Sequence, residues 1–230
     1  MKNIQIFSDF DGTITREDTL NKFLRIYADK EWLMVEDRWI NGEIGSKECI
    51  EEQMKLFPSM TQEILDAFID SIEIDETFVD FYGFIKSENI DFCIVSDGFD
   101  YFIERILSRY GIKDVKIFSN KLKFENGKFF TSFPNSSHDC KRKSGVCKCN
   151  VVKENKNSNR IVTKRVIYAG DGISDYCVSD KVDVLFAKGS LLEYCKNTKN
   201  DNLTGFGPNV PEINKFNSFA EIKEYIKKLA

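Results

Sequence analysis

The stretch "FSDFDGTIT", Phe7–Thr15, places Asp9 and Asp11 two positions apart, directly after the apolar run "NIQI". The run predicts a β-strand, and side chains two apart on a strand point to the same side. Two carboxylates held this close repel, so the pKa of one should rise unless a cation lies between them. The pair therefore has two interpretations: a cation site, or aspartates that merely form a turn beside Gly12.

Two further segments repeat the same order of apolar strand, polar turn and helix. They are "DFCIVSDGFDYF" around Ser96 and "RVIYAGDGISDY" around Asp171, and a shorter strand, "DVLFAKGS", follows. Continuous apolar strands alternating with helices predict a parallel sheet covered on both faces. We therefore predict an α/β fold with a Rossmann-like parallel sheet core, whose ligand site lies at the carboxyl ends of the strands.

About eighty residues separate the first two strands, whereas a crossover between parallel strands needs only one helix. The segments "EDTLNKFLRIYA", "SKECIEEQMKLF" and "TQEILDAFIDSI" predict helices, with Ser46 and Thr61 as N-caps of the second and third. We predict that residues 16–74 form an inserted helical cap. Residues 1–15 and 75–230 then form the α/β core.

The part of the core after the second strand contains a hairpin signal. Asn126-Gly127 lies between two near-alternating runs in "KLKFENGKFFTSF", which predicts a β-hairpin. Residues 135–150 are polar and predict an irregular segment.

Composition limits the partners. The net charge is −4, which favours no nucleic-acid partner, and no apolar run approaches the roughly 18–20 residues of a membrane helix. The start "MKNIQIFSD" meets charge too early for a secretory signal. Seven cysteines, an odd number, predict a reducing cytoplasm rather than a disulfide framework. The sequence does not predict an oligomeric state.

Four groups follow one another along the chain and should converge at one sheet edge. They are Asp9 with Asp11, Ser96 with Gly98, a lysine of the irregular segment, and Asp171 with Asp175. Carboxylates after two different strands suit a hard divalent cation such as Mg²⁺. An EF-hand does not fit, because its sixth and twelfth positions counted from Asp9 are Ile14 and Leu20 rather than Gly and Glu. Together the four groups disfavour the turn interpretation.

"DFDGT", Ser96 at the end of a strand, and "GDGISD" are similar to three motifs of the haloacid dehalogenase-like phosphatase superfamily. The cap position resembles the branch that includes phosphoserine phosphatase. "VSDGFDYF" and the stretch ending in "CKCNVV" further resemble the methionine-salvage phosphatases. Those enzymes act on 2,3-diketo-5-methylthio-1-phosphopentane or its enol form. The resemblance covers the whole chain.

The resemblance implies a role for each aspartate. Asp9 is the expected nucleophile, forming an aspartyl-phosphate, and Asp11 the expected general acid and then base. Mg²⁺ is expected on the Asp9 carboxylate, the Asp11 backbone carbonyl and Asp171. Asp175 is expected either as a further ligand or as a partner that orients a metal-bound water.

The resemblance also implies a cradle for the phosphoryl group. Ser96, the Gly98 amide and Lys148 are expected to hold its oxygens. We choose Lys148 over Lys141, Lys143 and Lys153 because it directly precedes the helix start "CNVVKE", as in the salvage phosphatases. A solvated surface lysine is the alternative.

Two neighbours of Asp11 are expected to shape its loop. Gly12 lets the chain turn sharply after Asp11, and Thr13 is expected to tie that turn together.

The substrate is less determined. Asp18 falls where phosphoserine phosphatase places an acid that meets the substrate amine, although the helix dipole explains an acid there equally well. That enzyme also uses a cap arginine, whereas the matching helix here offers Glu51, Glu52 and Gln53, which disfavours phosphoserine. A salvage-type keto or enol phosphate is the best match. Phosphoserine, phosphoethanolamine and phosphocholine remain alternatives, as does a phosphotransferase on the same scaffold. Candidates for an apolar pocket are Trp32, Trp39, Met54 and Phe57.

His138, Cys140, Cys147 and Cys149 form H-x-C-x6-C-x-C. These are ligand types that zinc accepts, but C-x-C is tighter than the usual C-x2-C. A structural zinc site and free thiols in a loop are both open interpretations.

Overall fold

A seven-stranded sheet forms the centre of the computed structural model, which describes residues 3–156, 164–200 and 210–229. Its order is β4-β3-β2-β1-β5-β6-β7, and every pairing is parallel except that of β4 with β3. The strands are β1 (Ile4–Ser8), β2 (Asp91–Phe99), β3 (Lys116–Glu125), β4 (Lys128–Ser132), β5 (Arg165–Gly170), β6 (Val184–Ala187) and β7 (Glu212–Lys215). The predicted parallel α/β core is confirmed, whereas β7 was not predicted.

Successive buried residues of the central strands enter two different hydrophobic clusters. Ile6 and Ile167 belong to one cluster, and Phe7 and Tyr168, the residues that follow them, belong to the other. Side chains of a strand alternate between its faces, so each cluster lies on one face of the sheet. The first cluster is covered by α5 (Phe78–Ser87), α6 (Asp100–Arg109) and α9 (Phe219–Lys228), and the second by α7 (Lys148–Asn155) and α8 (Gly189–Asn200). Helices therefore cover both faces, as predicted.

Residues between β1 and α5 are largely helical. They form α1 (Thr19–Tyr27), α2 (Trp32–Ile40), α3 (Ser46–Gln53) and α4 (Gln62–Asp70), with a 3₁₀ turn at Met54–Leu56. Where this segment leaves and rejoins the core, Thr15 pairs with Ile74, and the Asp75 amide donates to the Ile14 carbonyl at 2.8 Å. The two crossing points are therefore adjacent. The division into cap and core remains a prediction.

The helix starts in this segment are partly as expected. Thr61 caps α4, its hydroxyl accepting from the Ile64 amide. The prediction for Ser46 is wrong: Gly45 is the N-cap of α3 and Ser46 is its first residue. A Cβ at Gly45 would overlap the Lys143 carbonyl oxygen, so the start of α3 lies directly against the loop before α7.

The predicted hairpin is present and packs against the inserted helices. Asn126 and Gly127 both have positive φ, at 50° and 75°, as a two-residue hairpin turn requires. The Gly127 carbonyl accepts from the Met60 amide at 3.1 Å, and the Phe129 ring lies 5.7 Å from that of Phe23 on α1. The hairpin therefore supports the segment 16–74.

The segment predicted as irregular, 135–150, ends earlier than expected because α7 begins at Lys148. Its last part, Ser144–Lys148, is buried rather than solvated. In the described ranges, every helix is too short or too polar to cross a membrane.

Candidate active site

The ends of β1 and β5 bring Asp9 and Asp171 together. Ser8 pairs with Ala169, and the Asp9 amide continues the ladder by donating to the Ala169 carbonyl at 2.8 Å. Asp171 follows β5 directly. Because adjacent parallel strands end at the same edge, residues more than 160 positions apart become neighbours.

Asp9 is almost fully enclosed, with 4 % of its surface exposed. One carboxylate oxygen accepts from the Phe10 amide at 2.7 Å, and the other lies 2.8 Å from Lys148 Nζ. Burial raises the pKa of Asp9 well above its usual value, Asp175 adds to the rise, and Lys148 opposes it. The Asp9 carboxylate is therefore held in place and desolvated, and needs positive charge to stay ionised.

Lys148 supplies part of that charge from the first turn of α7. Only 1 % of its surface is exposed, and Nζ contacts Asp9, Asp175 Oδ1 at 2.7 Å and Ser174 Oγ at 2.9 Å. Burial alone would lower the pKa of Lys148, but Asp175, Asp9 and Asp97 outweigh it and raise the pKa. Lys148 thus stays charged.

The other three candidate lysines lie on the surface, away from Asp9. Lys141, Lys143 and Lys153 are all exposed. The geometry therefore favours Lys148 among the four, with the remaining three on solvated surface.

Asp175 is saturated with hydrogen bonds. Besides Lys148, its Oδ1 accepts from the Tyr168 hydroxyl at 2.6 Å, and Oδ2 accepts from the amides of Asp171 and Gly172 at 3.0 and 3.1 Å. The residue is completely buried. Asp175 therefore fixes both Lys148 and the Asp171 loop. Sequence analysis missed Tyr168, because nothing in an apolar strand marks which aromatic points at a carboxylate.

Asp11 has a different environment from Asp9. Its Oδ1 accepts from the Thr19 amide at 3.1 Å and its Oδ2 from the Ser96 hydroxyl at 3.2 Å. Burial raises the pKa of Asp11, while the hydrogen bonds from Thr19 and Ser96 oppose the rise. Since neutral donors rather than the lysine contact it, Asp11 takes up a proton without breaking an ion pair.

Ser96 was expected to end its strand, and that is wrong, because β2 continues to Phe99. Val95 pairs with Phe118 and Phe99 with Asn120, so the intervening residues form a bulge. Within the bulge the Gly98 amide donates to Ser96 Oγ at 2.9 Å, and a Cβ at Gly98 would overlap Asp11 Oδ2. The bulge therefore directs Ser96 and Gly98 to the same point beside Asp11.

Among the described residues, a single set of three potential metal ligands (Asp, Glu, His or Cys) has its ligand atoms within 4.8 Å of one another: Asp9, Asp171 and Asp175. Burial, with Asp175 adding, raises the pKa of Asp171 to about 6. Burial and mutual repulsion oppose the ionisation of these three closely spaced carboxylates. A hard divalent cation, which prefers oxygen ligands, would relieve that repulsion.

The loop after Asp11 is shaped around Asp171. Gly12 has φ +70°, and a Cβ there would lie 2.5 Å from Asp171 Oδ2. Thr13 was expected to tie this turn, and its amide does so by donating to the Phe10 carbonyl at 3.2 Å. Its hydroxyl, however, donates to Asp171 Oδ1 at 2.6 Å. Thr15 Oγ1 adds a further bond within the turn, accepting from the Gly12 amide at 3.0 Å. The loop thus orients a candidate metal ligand.

The cysteine-rich stretch does not form a comparable group. His138 is exposed, and although Cys147 and Cys149 have sulfurs 3.5 Å apart, the described thiols and His138 include no set of three within 4.8 Å. These cysteines form no disulfide, and both interpretations, a structural zinc site and free thiols, stay predictions.

A cavity of about 140 Å³ lies over Asp9, between the sheet edge and the inserted helices. Among the residues that the structure describes, no lysine or arginine lines it. The helical segment contributes Asp18, Leu20, Asn21, Glu36, Trp39, Ser46, Cys49, Ile50 and Gln53; the core contributes Asp9, Asp11, Ser96, Asp97, Gly98, Asp171, Gly172, Ile173 and Ser174.

The expected pocket residues are only partly correct. Trp39 and Gln53 line the cavity, whereas Trp32, Glu51 and Glu52 do not. Met54 is buried in the core, and the Phe57 ring stacks on Phe23 at 4.4 Å. Asp18 lies in the wall and also caps α1, accepting from the Asn21 amide at 2.8 Å. Both interpretations of Asp18 therefore remain compatible with the structure.

Sequence analysis missed Glu36, which lies on α2 in the cavity wall. Its carboxylate accepts from Gln53 Nε2 at 2.7 Å, and burial raises its pKa while the hydrogen bond from Gln53 opposes that rise. Asn21 on α1 and Cys49 on α3 also interact with Glu36, so hydrogen-bond donors on two other helices hold this acid against the cavity. A single glutamate within a polar helix carries no sequence signal for this.

The sheet edge thus holds two carboxylates in different environments, a buried lysine and a cluster of acids that could bind a cation. This combination suits phosphoryl transfer through a carboxylate. The fold and site together define a phosphatase of the haloacid dehalogenase-like superfamily.

The comparisons identify the family. The chain matches the family described as "Putative Phosphatase" over residues 4–190, and it belongs to this family. It is 31 % identical to a 2-hydroxy-3-keto-5-methylthiopentenyl-1-phosphate phosphatase of Bacillus velezensis, covering 83 % of this chain and 80 % of that protein. It is 28 % identical to the phosphatase of the same name from Bacillus cereus, covering 99 % and 97 %.

Solved structures agree on the fold. A phosphoserine phosphatase with a phospho-aspartyl intermediate analogue superposes with a TM-score of 0.68 at 16 % identity, covering 98 % of this chain and 99 % of that one. The family match and the relatives named above make the chain an enzyme of the phosphatase class, as the sequence predicted.

Proposed function

We propose that this enzyme is a Mg²⁺-dependent phosphatase that hydrolyses a small phosphomonoester through an aspartyl-phosphate on Asp9. The observation that carries the proposal is the inequality of the two acids. Asp9 lies 2.8 Å from a buried lysine, whereas Asp11 is held by Thr19 and Ser96. One carboxylate stays ionised to attack, and the other holds a proton to give away.

In this mechanism Asp9 attacks the phosphorus atom and Asp11 protonates the departing alkoxide. The raised pKa of Asp11 keeps that proton available closer to neutral pH. Asp11 then takes a proton from the water that cleaves the aspartyl-phosphate. Lys148 offsets the charge shared by Asp9 and the phosphoryl oxygens, and Ser96 with the Gly98 amide contacts one of those oxygens.

The metal proposed here is Mg²⁺, held by the Asp9 carboxylate, Asp171 and the Asp11 backbone carbonyl. When bound, it neutralises phosphoryl charge so that the anionic nucleophile can approach. Asp175 already accepts four hydrogen bonds, which supports a role in positioning Asp171 and Lys148 rather than a direct bond to metal.

The substrate we propose is 2-hydroxy-3-keto-5-methylthiopentenyl-1-phosphate, the compound named in the relatives. Residues 16–74 act as a cap that selects it. Leu20, Trp39 and Ile50 offer an apolar wall for a thioether tail, while Asn21 and Gln53 carry amides suited to keto and hydroxyl oxygens. The described part of the wall offers no lysine or arginine to pair with a substrate carboxylate, which disfavours phosphoserine.

A second candidate is an amine-bearing phosphomonoester such as phosphoethanolamine or phosphocholine. Asp18 and Glu36 both line the cavity, and two acids beside Trp39 suit an ammonium group. Replacing Glu36 with Gln separates the candidates: it lowers kcat/KM for an amine substrate and has little effect on the neutral salvage substrate. Glu48→Gln, an exposed change on α3, is the matched control.

The deciding experiment is a panel of phosphomonoesters assayed with Mg²⁺ for kcat/KM and for inorganic phosphate release. The proposal requires the salvage substrate to exceed phosphoserine, phosphoethanolamine, phosphocholine and sugar phosphates. Release of less than one inorganic phosphate for each alcohol formed would instead support a phosphotransferase. We further propose a reducing, cytoplasmic setting, which the odd number of cysteines in the sequence supports.

A further inference from the structure

Asp97 is a buried acid that the mechanism above does not use. Its Oδ2 accepts from the Ser46 hydroxyl at 2.7 Å, and its Oδ1 accepts from the Val146 amide at 2.6 Å. Its own carbonyl accepts from Asn120 Nδ2 at 2.5 Å. Ser46 begins α3, Asp97 lies in the bulge of β2, and Val146 is in the loop before α7. One carboxylate therefore joins three separate parts of the chain.

Two of these parts, α3 and the loop before α7, are also joined without Asp97. The Gly145 amide donates to Ser46 Oγ at 3.1 Å, so the Ser46 hydroxyl both receives and donates a hydrogen bond. The Lys47 amide donates to the Lys143 carbonyl at 3.4 Å. The first turn of α3 is thus attached to the loop at two successive residues, with the Ser46–Asp97 bond at the buried end.

This attachment separates two cavities. A cleft of about 220 Å³ lies between residues 39–46 and the loop 141–144, beside the active-site cavity. Ser46, Asp97 and Trp39 line both spaces, together with Ile173 and Ser174. The hydrogen bond from Ser46 to Asp97 therefore lies in the wall that the cleft and the active-site cavity share.

The same acid also affects the catalytic lysine. Val146 lies two residues before Lys148, and the Asp97 hydrogen bond to its amide anchors the chain entering α7. The charge of Asp97 is one of those that stabilise the ammonium of Lys148. A change at the α3 end of the Ser46–Asp97 bond is therefore felt where Lys148 meets Asp9.

We infer that Asp97 is a positioning residue. Through Ser46 it attaches the inserted helices to the core and closes the wall between the active-site cavity and the neighbouring cleft, a contact called the clasp below. Through the Val146 amide it positions Lys148 for phosphoryl binding. The inference rests on the proposed function of Lys148 and Asp9. It adds a link between the helical segment and the lysine.

Two measurements on Ser46→Ala test the two halves of the inference. In a Trp32→Phe background Trp39 is the single tryptophan, and it borders both cavities, so acrylamide quenching of its fluorescence reports the clasp. Calorimetric binding of orthovanadate with Mg²⁺ reports the phosphoryl site without needing turnover. Ser46→Thr retains the hydroxyl. Ser71→Ala, whose hydroxyl bonds only the nearby Phe68 carbonyl, is the matched control.

Ser46→Ala should increase quenching of Trp39 and weaken vanadate binding by up to about tenfold, because the free energy of a hydrogen bond to a charged group limits how strongly its loss can affect binding. Ser46→Thr should keep wild-type quenching and wild-type vanadate affinity, and Ser71→Ala should change neither quantity. Asp97→Asn should weaken vanadate binding, and adding Ser46→Ala to it should cost less than the sum of the single changes, because both act through one bond.

Unchanged quenching in Ser46→Ala overturns the clasp, and unchanged vanadate binding overturns the link to Lys148. Simple loss of stability would not mimic these results, since both measurements are made on folded protein whose circular dichroism matches wild type. If wild-type protein bound no vanadate and hydrolysed no phosphomonoester, the proposed function would fail, while the quenching measurement would still decide the clasp.

Discussion

Replacing Lys148 with Met removes a buried charge while keeping the apolar stem. In the intact protein Nζ lies 2.8 Å from Asp9 Oδ2 and 2.7 Å from Asp175 Oδ1. Removing one preorganised donor to a developing oxyanion typically costs about 10²–10³ in kcat. Lys148 carries a full charge in a site with 1 % exposure, so we expect a loss of kcat of at least about 10²-fold.

The same substitution should destabilise the fold. Removing one partner of a buried ion pair costs about 3–5 kcal/mol, because the remaining carboxylates stay buried without compensation. For a chain of this size each kcal/mol lowers Tm by about 2–4 °C, so a fall of roughly 6–20 °C is expected.

The pH dependence of that destabilisation has a definite sign. The pKa of Asp9 is already raised by burial and rises further without the lysine. A carboxyl whose folded-state pKa exceeds its unfolded value favours the folded state as pH falls. The difference in stability between Lys148→Met and wild type, measured without divalent metal, should therefore be greatest at neutral pH and shrink below it.

The assay compares kcat at saturating Mg²⁺ and calorimetric Tm for Lys148→Met and Lys141→Met. Lys141 is exposed in the same segment, so it should retain wild-type values. Equal effects of the two substitutions on kcat would refute the choice of Lys148. A destabilisation that grows toward acid pH would refute the electrostatic reasoning.

Three further predictions follow from the site. Asp9→Asn should abolish acid-stable labelling by a ³²P-phosphomonoester, whereas Asp11→Asn should slow both chemical steps and leave calorimetric Mg²⁺ binding nearly unchanged; loss of metal binding in Asp11→Asn would contradict its assignment. Because the pKa of Asp171 is about 6, protons compete with Mg²⁺, and affinity should fall about tenfold from pH 7 to pH 5; a flat profile would count against Asp171 as a ligand. Gly12→Ala should weaken Mg²⁺ binding because its Cβ would lie 2.5 Å from Asp171 Oδ2, while Gly42→Ala, which has φ +76° with open space around it, should share only the backbone strain; equal Mg²⁺ affinities would exclude the steric effect.

Some of the architecture was readable from the chain because it depends on local pattern. Ile6 and Phe7, like Ile167 and Tyr168, are consecutive apolar residues that enter opposite clusters, as a strand buried on both faces requires. Asn126-Gly127 specified its turn because both residues must adopt positive φ. These features need only neighbouring residues.

Other assignments failed because they depend on partners far along the chain. Thr13 was expected to tie its own turn, and its amide does, but its hydroxyl donates to the Asp171 carboxylate, 158 residues away. Ser46 was expected to cap α3, yet its hydroxyl donates to Asp97. A hydroxyl near a helix start has the same local options in every sequence, so the nearest buried carboxylate decides.

The sequence by itself determined that Asp9, Asp11 and Asp171 lie at one sheet edge, because strand direction and order along the chain leave them no other place. Tertiary structure decided which groups complete the site. Four lysines occupy the polar segment before and within α7, and only packing shows that Lys148 is enclosed between Asp9 and Asp175. The same holds for Glu36 and Asp97, since burial and the resulting electrostatics are properties of the assembled fold and leave no periodicity in the sequence.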